Sequence, residues 1–322
     1  MTLVQLKVFV LVSRLGSVRA AATALGVSEP AVSQALAALR THLSDPLLVR
    51  STTGMELTAA GRRVVGIASQ MVNLAVEAEE AVRQSQGAPA LLRVITNATL
   101  ADAVVPALLQ AFTARVGDVE VNLGVATTAE MTALVQERLA DVAIGPRLQG
   151  TGDSGSPTIE SDALMRYRLV FVTRHGRPDG GTVSLRGLAD DQWLVDASAT
   201  DPITEVGQLL ARLRVPEHRI RVFPNQRAAL AAAADGPGVV PAVDHLLPKD
   251  LAAAGLARLT ITEGSPDLLW HVSSLPPDRR PAIAGKLRRF LTTPEALQAM
   301  YHADGGVPAS KFKPPVYVTI WS

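Results

Sequence analysis

Ser28-Glu29-Pro30-Ala31-Val32-Ser33-Gln34-Ala35-Leu36-Ala37-Ala38-Leu39-Arg40 is the stretch on which the fold of the first part of the chain turns. It reads as a helix with a marked start. The Ser28 hydroxyl can accept a free N–H of the first turn, and Pro30 sits where a missing N–H costs nothing. Val32, Leu36 and Leu39 recur at helical spacing and predict a buried face. The opposite face offers Glu29, Ser33 and Gln34, short polar groups able to touch base edges. Upstream, Ser17–Leu25 predicts a second helix, and Gly26 can supply the left-handed turn that joins the two steeply. Helix, tight glycine turn and helix with a polar outer face is the helix-turn-helix pattern.

Working outward, Leu3, Leu6, Phe9, Val10 and Val12 predict a first amphipathic helix that Gly16 ends. Downstream, Pro46–Arg50, the turn Ser51-Thr52-Thr53-Gly54 and Met55–Leu57 predict a two-stranded wing. Residues 1–63 hold seven cations (Lys7, Arg14, Arg19, Arg40, Arg50, Arg62, Arg63) against three acids (Glu29, Asp45, Glu56), while the whole chain carries a net charge of only +1. An anionic partner is therefore expected for this unit alone.

Thr58 should cap a long helix running to about Gly87. Val64, Met71 and Ala78 repeat every seven residues, as do Ala68, Ala75 and Val82, which predicts a narrow pairing seam. A helix of roughly 28 residues spans about 42 Å at about 1.5 Å per residue, more than one compact domain needs, so a partner chain is expected to cover the seam. Gly87-Ala88-Pro89 then ends the helix and serves as a hinge.

From residue 91 strands and helices alternate. Leu92–Thr96, Val119–Val125 and Asp141–Gly145 are predicted strands around a helix over Thr99–Arg115, interrupted near Pro106, and a helix over Thr128–Leu139. That order implies a parallel, right-handed arrangement. A second series follows: strands at Arg168–Thr173, Trp193–Asp196, Arg219–Phe223 and Gly238–Pro241, helices at Pro202–Leu213 and Asn225–Ala234. Strands at Leu256–Ile261 and Leu268–Ser274 and a helix at Arg280–Leu291 close it. Two α/β lobes result, with a crossover near residue 163 and a return near residue 266. Residues 149–157 read as a Gly/Ser loop, Glu295–His302 as a short helix, and Val316–Trp321 as a strand.

The chain of 322 residues is 48% hydrophobic and has no cysteine, which removes thiol chemistry and Cys-ligated metal. The six histidines show no ligand spacing. No Gly-x-Ser-x-Gly, phosphate-binding loop or dinucleotide fingerprint occurs. Gly152-Asp153-Ser154-Gly155 looks like a protease nucleophile segment, but no suitable His and Asp precede it. No enzyme and no cofactor are expected. The first residues lack a basic start followed by an apolar run, and no stretch of about 18 uncharged apolar residues occurs, so a cytoplasmic chain with no membrane partner is expected.

The order of elements resembles the LysR-type bacterial transcriptional regulators. Gly16-Ser17, Ala20-Ala21-Ala22, Leu25, Val27-Ser28, Pro30–Ser33, Leu39, Pro46–Arg50 and Leu57–Gly61 carry the likeness densely over about the first 60 residues; Thr96–Pro106, Asp141–Ile144 and Gly236–Pro241 carry it more thinly beyond. Three positions depart: Glu29 stands where the family usually has Gln, Gln34 where Arg is frequent, and Arg40 where Glu is usual. Glu29 either accepts from a cytosine amino group or favours the helix start as a first-turn acid.

The resemblance implies an α/β fold with an N-terminal winged helix-turn-helix (1–58), a linker or dimerisation helix (59–88), and a two-lobe, periplasmic-binding-protein-like effector domain (89–304). Lobe I would take about 90–162 and 266–304, lobe II about 163–265, with a tail at 305–322. It implies double-stranded DNA as partner, RNA polymerase contact, a homodimer or homotetramer, and a small-molecule effector, a carboxylate or other anion. Ser28, Glu29, Pro30, Ser33 and Gln34 would face the major groove, while Arg19 and Arg50, Ser51, Thr52 and Thr53 would hold the backbone. Asn97, Thr99, Thr127, Thr128, Thr200, Asp201 and Asn225 sit at strand–helix junctions and are the candidate effector contacts, with Arg147 and His175 as further candidates. A solute-binding protein of the same fold and a cytoplasmic enzyme on it are the rival readings.

Overall fold

The computed structural model describes residues 1–51, 54–150, 158–176, 182–202, 204–264 and 267–301. Thr52, Thr53, residues 151–157 of the Gly/Ser loop and the predicted strand Val316–Trp321 lie outside the described residues.

Three helices open the chain: α1 (Leu3–Leu15), α2 (Val18–Leu25) and α3 (Glu29–Leu43). Their starts are fixed by hydroxyl caps. Ser17 accepts from the Ala20 N–H and Ser28 from the Ala31 N–H, each worth about 1 kcal/mol. Gly16 and Gly26 end α1 and α2 in the left-handed region at φ 64° and 65°. The wing is an antiparallel pair, β1 (Leu48–Ser51) and β2 (Gly54–Leu57). Val32, Leu36 and Leu39 of α3 are buried with Leu6, Phe9 and Leu11 of α1; full burial of a side chain such as Phe9 is worth about 2–3 kcal/mol.

The linker helix α4 (Ala59–Ser85) starts at Thr58, whose hydroxyl accepts from the Gly61 N–H at 2.9 Å. Gly61 is required there: a Cβ would lie 2.1 Å from the Leu47 carbonyl oxygen. The predicted seam is partly displaced. Ala68 is buried in the chain's own core, while Ile67, Met71, Leu74 and Val82 form the exposed apolar row. Ala68 suits the inner face because its small side chain lets α4 lie close to α1.

In the second part a seven-stranded sheet runs in the order β10-β6-β13-β5-β3-β4, with β11 also on β6. In chain order the elements are β3 (Ala90–Thr96), α5 (Ala98–Ala103), α6 (Val105–Val116), β4 (Val119–Val125), α7 (Thr128–Gln136), β5 (Val142–Gly145), β6 (Glu160–Arg174), β7 (Thr182–Val183) and β8 (Trp193–Asp196). There follow α8 (Glu205–Leu213), β9 (Ile220–Phe223), α9 (Gln226–Asp235), β10 (Val240–Val243), β11 (Leu256–Arg258), β12 (Thr260–Ile261), β13 (Asp267–Ser274), α10 (Ala282–Leu291) and α11 (Pro294–Met300). β3 pairs parallel with β4 and β5, as expected, and the helix interrupted near Pro106 divides at Val104.

Three elements differ from expectation, one being the strand predicted over Leu256–Ile261, which divides into β11 on β6 and β12 beside β7. β6 runs from Glu160, eight residues before the predicted strand, because β13 pairs with it antiparallel from Glu160 to Arg168. The crossover near residue 163 therefore falls inside one continuous strand shared by both lobes. The helix predicted from Pro202 begins at Glu205, since Thr204 caps it by accepting from the Gly207 N–H at 3.1 Å.

Candidate DNA-reading face and ligand cleft

Helix α3 turns its apolar side inward and leaves Ser28, Glu29, Pro30, Ser33 and Gln34 exposed. Arg19 on α2 and Arg50 on β1 are exposed around it, and Ser51 is half-buried with its hydroxyl on the Gly54 carbonyl at 3.3 Å. Of the seven cations counted for this unit, four are engaged or buried within the chain, Arg62 among them, which donates to the Leu57 carbonyl at 2.7 Å. Arg40 donates to the Leu48 carbonyl at 3.3 Å and ties α3 to the wing. Arg14 pairs with Glu137. Lys7 is half-buried, and burial, reinforced by nearby Arg93, holds its ammonium below the usual lysine range. Arg62 and Arg63, at the start of α4, are exposed. They enter the sequence reading only as charge count; their helical spacing from the wing is the signal that could have placed them.

Between the lobes, side chains from one side bond to the other at three places. The Thr99 hydroxyl donates to Asp196 Oδ2 at 2.6 Å. The Thr128 N–H donates to Asp201 Oδ2 at 3.2 Å. Asn225 Nδ2 donates to Asp102 Oδ2 at 2.7 Å. A small cavity of about 60 Å³ lies in this cleft, with Asn97, Thr99, Tyr167, Asp196, Ser198, Glu205, Gln226 and Trp270 among its walls.

Of the predicted effector contacts, Asn97 and Thr99 line the cavity. Thr128, Asp201 and Asn225 sit in the bridges between the lobes, and Thr127 and Thr200 serve local caps and turns. Arg147 and His175 are exposed and do not line the cavity. The walls that sequence reasoning missed are chiefly Tyr167, Glu205 and Trp270. They come from β6, α8 and β13, distant in sequence, and only the pairing of β6 with β13 brings the two rings together, stacked with centroids 4.7 Å apart.

The cleft walls do not carry the positive charge that an anionic ligand would call for. Helix starts attract anions, but the chain fills these starts itself. Asn97 Oδ1 accepts from the Leu100 N–H at 2.9 Å, and the Asp201 carboxylate occupies the start of α7. No lysine, arginine or histidine is among the wall residues. Burial pushes the Glu205 carboxyl above the usual range, and burial together with the Glu205 charge pushes Tyr167 upward.

The N-terminal helical unit is docked on lobe I. Glu137, just past α7, is buried and accepts from Arg14 Nε of α1 at 3.0 Å and from the Ser69 hydroxyl of α4. Among the described residues no group of His, Asp and Glu could hold a metal ion, and no helix is long and apolar enough to cross a membrane.

Comparison with known proteins agrees with this division. Residues 3–62 match the family model described as bacterial regulatory helix-turn-helix protein, lysR family, and residues 85–293 match the LysR substrate binding domain. An uncharacterised HTH-type transcriptional regulator of Mycobacterium tuberculosis is 33% identical, with 100% of each chain covered. The HTH-type transcriptional regulator CfxR of Cupriavidus necator is 26% identical over 90% of this chain and 91% of its own. Full-length CbnR, solved in complex with its target DNA, shares the fold at a TM-score of 0.52 and 23% identity, covering 90% of this chain and 99% of that one.

Proposed function

This chain belongs to the LysR family of bacterial transcriptional regulators, and from that premise we propose how its parts divide the work. It is a DNA-binding regulator with an effector-binding domain. Helix α3 enters the major groove of double-stranded DNA with Ser28, Glu29, Pro30, Ser33 and Gln34, while Arg19, Arg50, Arg62 and Arg63 hold phosphates. Low positive charge on α3 itself leaves most of the affinity to the backbone contacts. The exposed row Ile67, Met71, Leu74 and Val82 pairs two copies through α4, so that two reading helices meet a roughly palindromic site. A small molecule held between the lobes changes how the DNA-reading pairs are set, and with it contact with RNA polymerase. The protein acts in the cytoplasm and as a regulator rather than an enzyme, in keeping with the names of its curated relatives.

The observation that carries the DNA reading is the split character of α3: its apolar side is buried while every polar candidate on it is exposed. A gel shift with the intergenic DNA beside its own gene tests it. A saturable shift that survives excess nonspecific DNA is expected; a shift abolished by that competitor sinks the reading. The cleft is tested separately by a thermal-shift screen with a mixed small-molecule library. At least one stabilising compound whose effect is lost in Asn97→Ala is expected; none at all would remove the effector role from this cleft.

A further inference from the structure

We propose that the cleft between the lobes selects a small organic cation, an ammonium compound, through the Glu205 and Asp196 carboxylates and the stacked Tyr167 and Trp270 rings. The inference rests on the reading of this cleft as the effector site and names the chemical class it takes.

The walls are the argument. Among the described residues lining the cavity two are acids, Asp196 and Glu205, and none is a cation. Asp196 is built in: it accepts from the Thr99 hydroxyl of lobe I and from both the Ser198 N–H and hydroxyl. Each carboxylate oxygen carries two acceptor sites, so Asp196 retains capacity for a donor from a ligand. Glu205 stands on the first turn of α8, directly after the Thr204 cap, and is one of the residues lining the cavity. An acid held there without a cation bears a desolvation cost, visible in the upward displacement of its carboxyl.

The aromatic wall supplies the second half of the recognition. Tyr167 and Trp270 are 8% and 4% exposed, stacked at 28°, and both line the cavity. A ring face attracts a cation with about 0.5–2 kcal/mol, more as water is excluded. Carboxylates and aromatic rings in one set of walls suit an ammonium group and disfavour a carboxylate. The amides of Asn97 and Gln226 complete the walls; Gln226 Oε1 already accepts from the Val243 N–H at 3.1 Å. The cavity volume of about 60 Å³ is room for about two waters, which restricts the part of a ligand held inside it to a compact ammonium head group.

Three probes of nearly equal size and opposite character test the assignment on the full-length protein: ethanolammonium, ethylene glycol and glycolate. Calorimetric or thermal-shift titration should give ethanolammonium half-saturation at about tenfold lower concentration than ethylene glycol, the factor that about 1.4 kcal/mol represents, and no response to glycolate. Glu205→Gln, which keeps the shape and removes the charge, should erase the preference of ethanolammonium over ethylene glycol. The wild-type comparison decides the matter even if that variant folds poorly. A response to glycolate equal to or stronger than that to ethanolammonium overturns the cation assignment and leaves the effector cleft standing. Silence from all three also overturns the assignment, while the library screen decides the cleft reading independently.

Discussion

Breaking the contact between Arg14 and Glu137 should loosen the DNA-reading unit from lobe I without unfolding either. The Glu137 side chain is 1% exposed and that of Arg14 is 43% exposed, with Nε 3.0 Å from Oε1. A hydrogen bond between charged groups contributes about 1.5–3 kcal/mol. Solvent around Arg14 screens the pair, so a coupling energy of about 1–1.5 kcal/mol is expected from the cycle of Arg14→Ala, Glu137→Gln and the double variant. A chain with several domains does not unfold in one step. The measurement is therefore native-state hydrogen exchange of amides in α1 that open with the docking contact. Each single variant should speed their exchange about tenfold, which corresponds to about 1.4 kcal/mol, and the double variant should add little more. Exchange rates that multiply independently in the double variant, leaving a coupling under about 0.3 kcal/mol, would refute the view that this pair docks the two parts.

Other outcomes follow from the same geometry. Arg50→Ala should weaken binding to all DNA sequences and lower the salt slope by about one, read by gel shift across a salt series; an unchanged slope counts against a phosphate contact. Leu74→Asp, on the exposed row of α4, should shift the protein toward monomers in sedimentation, whereas Val72→Asp, at a buried position, should reduce its thermal stability. Gly61→Ala should cost several kcal/mol in chemical unfolding of the wing, because a Cβ placed 2.1 Å from a backbone oxygen forces the wing and α4 apart. His271 lies below the usual imidazole range, chiefly through burial and secondarily through Arg147, and its Nδ1 is buried without a partner. The unfolded chain therefore binds the proton more readily, and stability should rise with pH up to about 6.5. His271→Gln should flatten that part of a thermal-midpoint profile.

Much of the fold is legible in local sequence because local chemistry decides it. Ser17, Ser28, Asn97, Thr127 and Asn225 mark helix starts, and each side chain caps the helix that follows it. The parallel strands of lobe I announce themselves locally, β5 as an apolar run and β4 by alternation. What stays hidden depends on partners far away. Glu160–Tyr167 mixes two acids, one arginine and apolar residues and reads as a strand only once β13 lies beside it. Part of the row on α4 shifts while Met71 and Val82 stay on it, because alanine fits either face and heptad spacing alone cannot tell an inner Ala68 from an outer Ile67. The cavity walls are the least legible part: junction residues such as Thr128 and Asp201 look like ligand contacts but close the lobes on each other. The tyrosine, tryptophan and glutamate that face the cavity carry no local mark.

Helix α7 joins two regions that the chain otherwise keeps apart. At its start the Thr128 N–H holds Asp201 of the far lobe, and just past its end Glu137 holds α1 and α4. Nine residues of helix make a strut of about 14 Å, too short to bend appreciably. A displacement imposed at one end therefore arrives at the other. Opening the cleft and freeing the reading unit become motions of a single lever, and any free energy it transmits works in both directions. Were DNA to draw the reading unit away from lobe I, the affinity of the cleft for a ligand would change by the same factor with which that ligand changes the affinity for DNA.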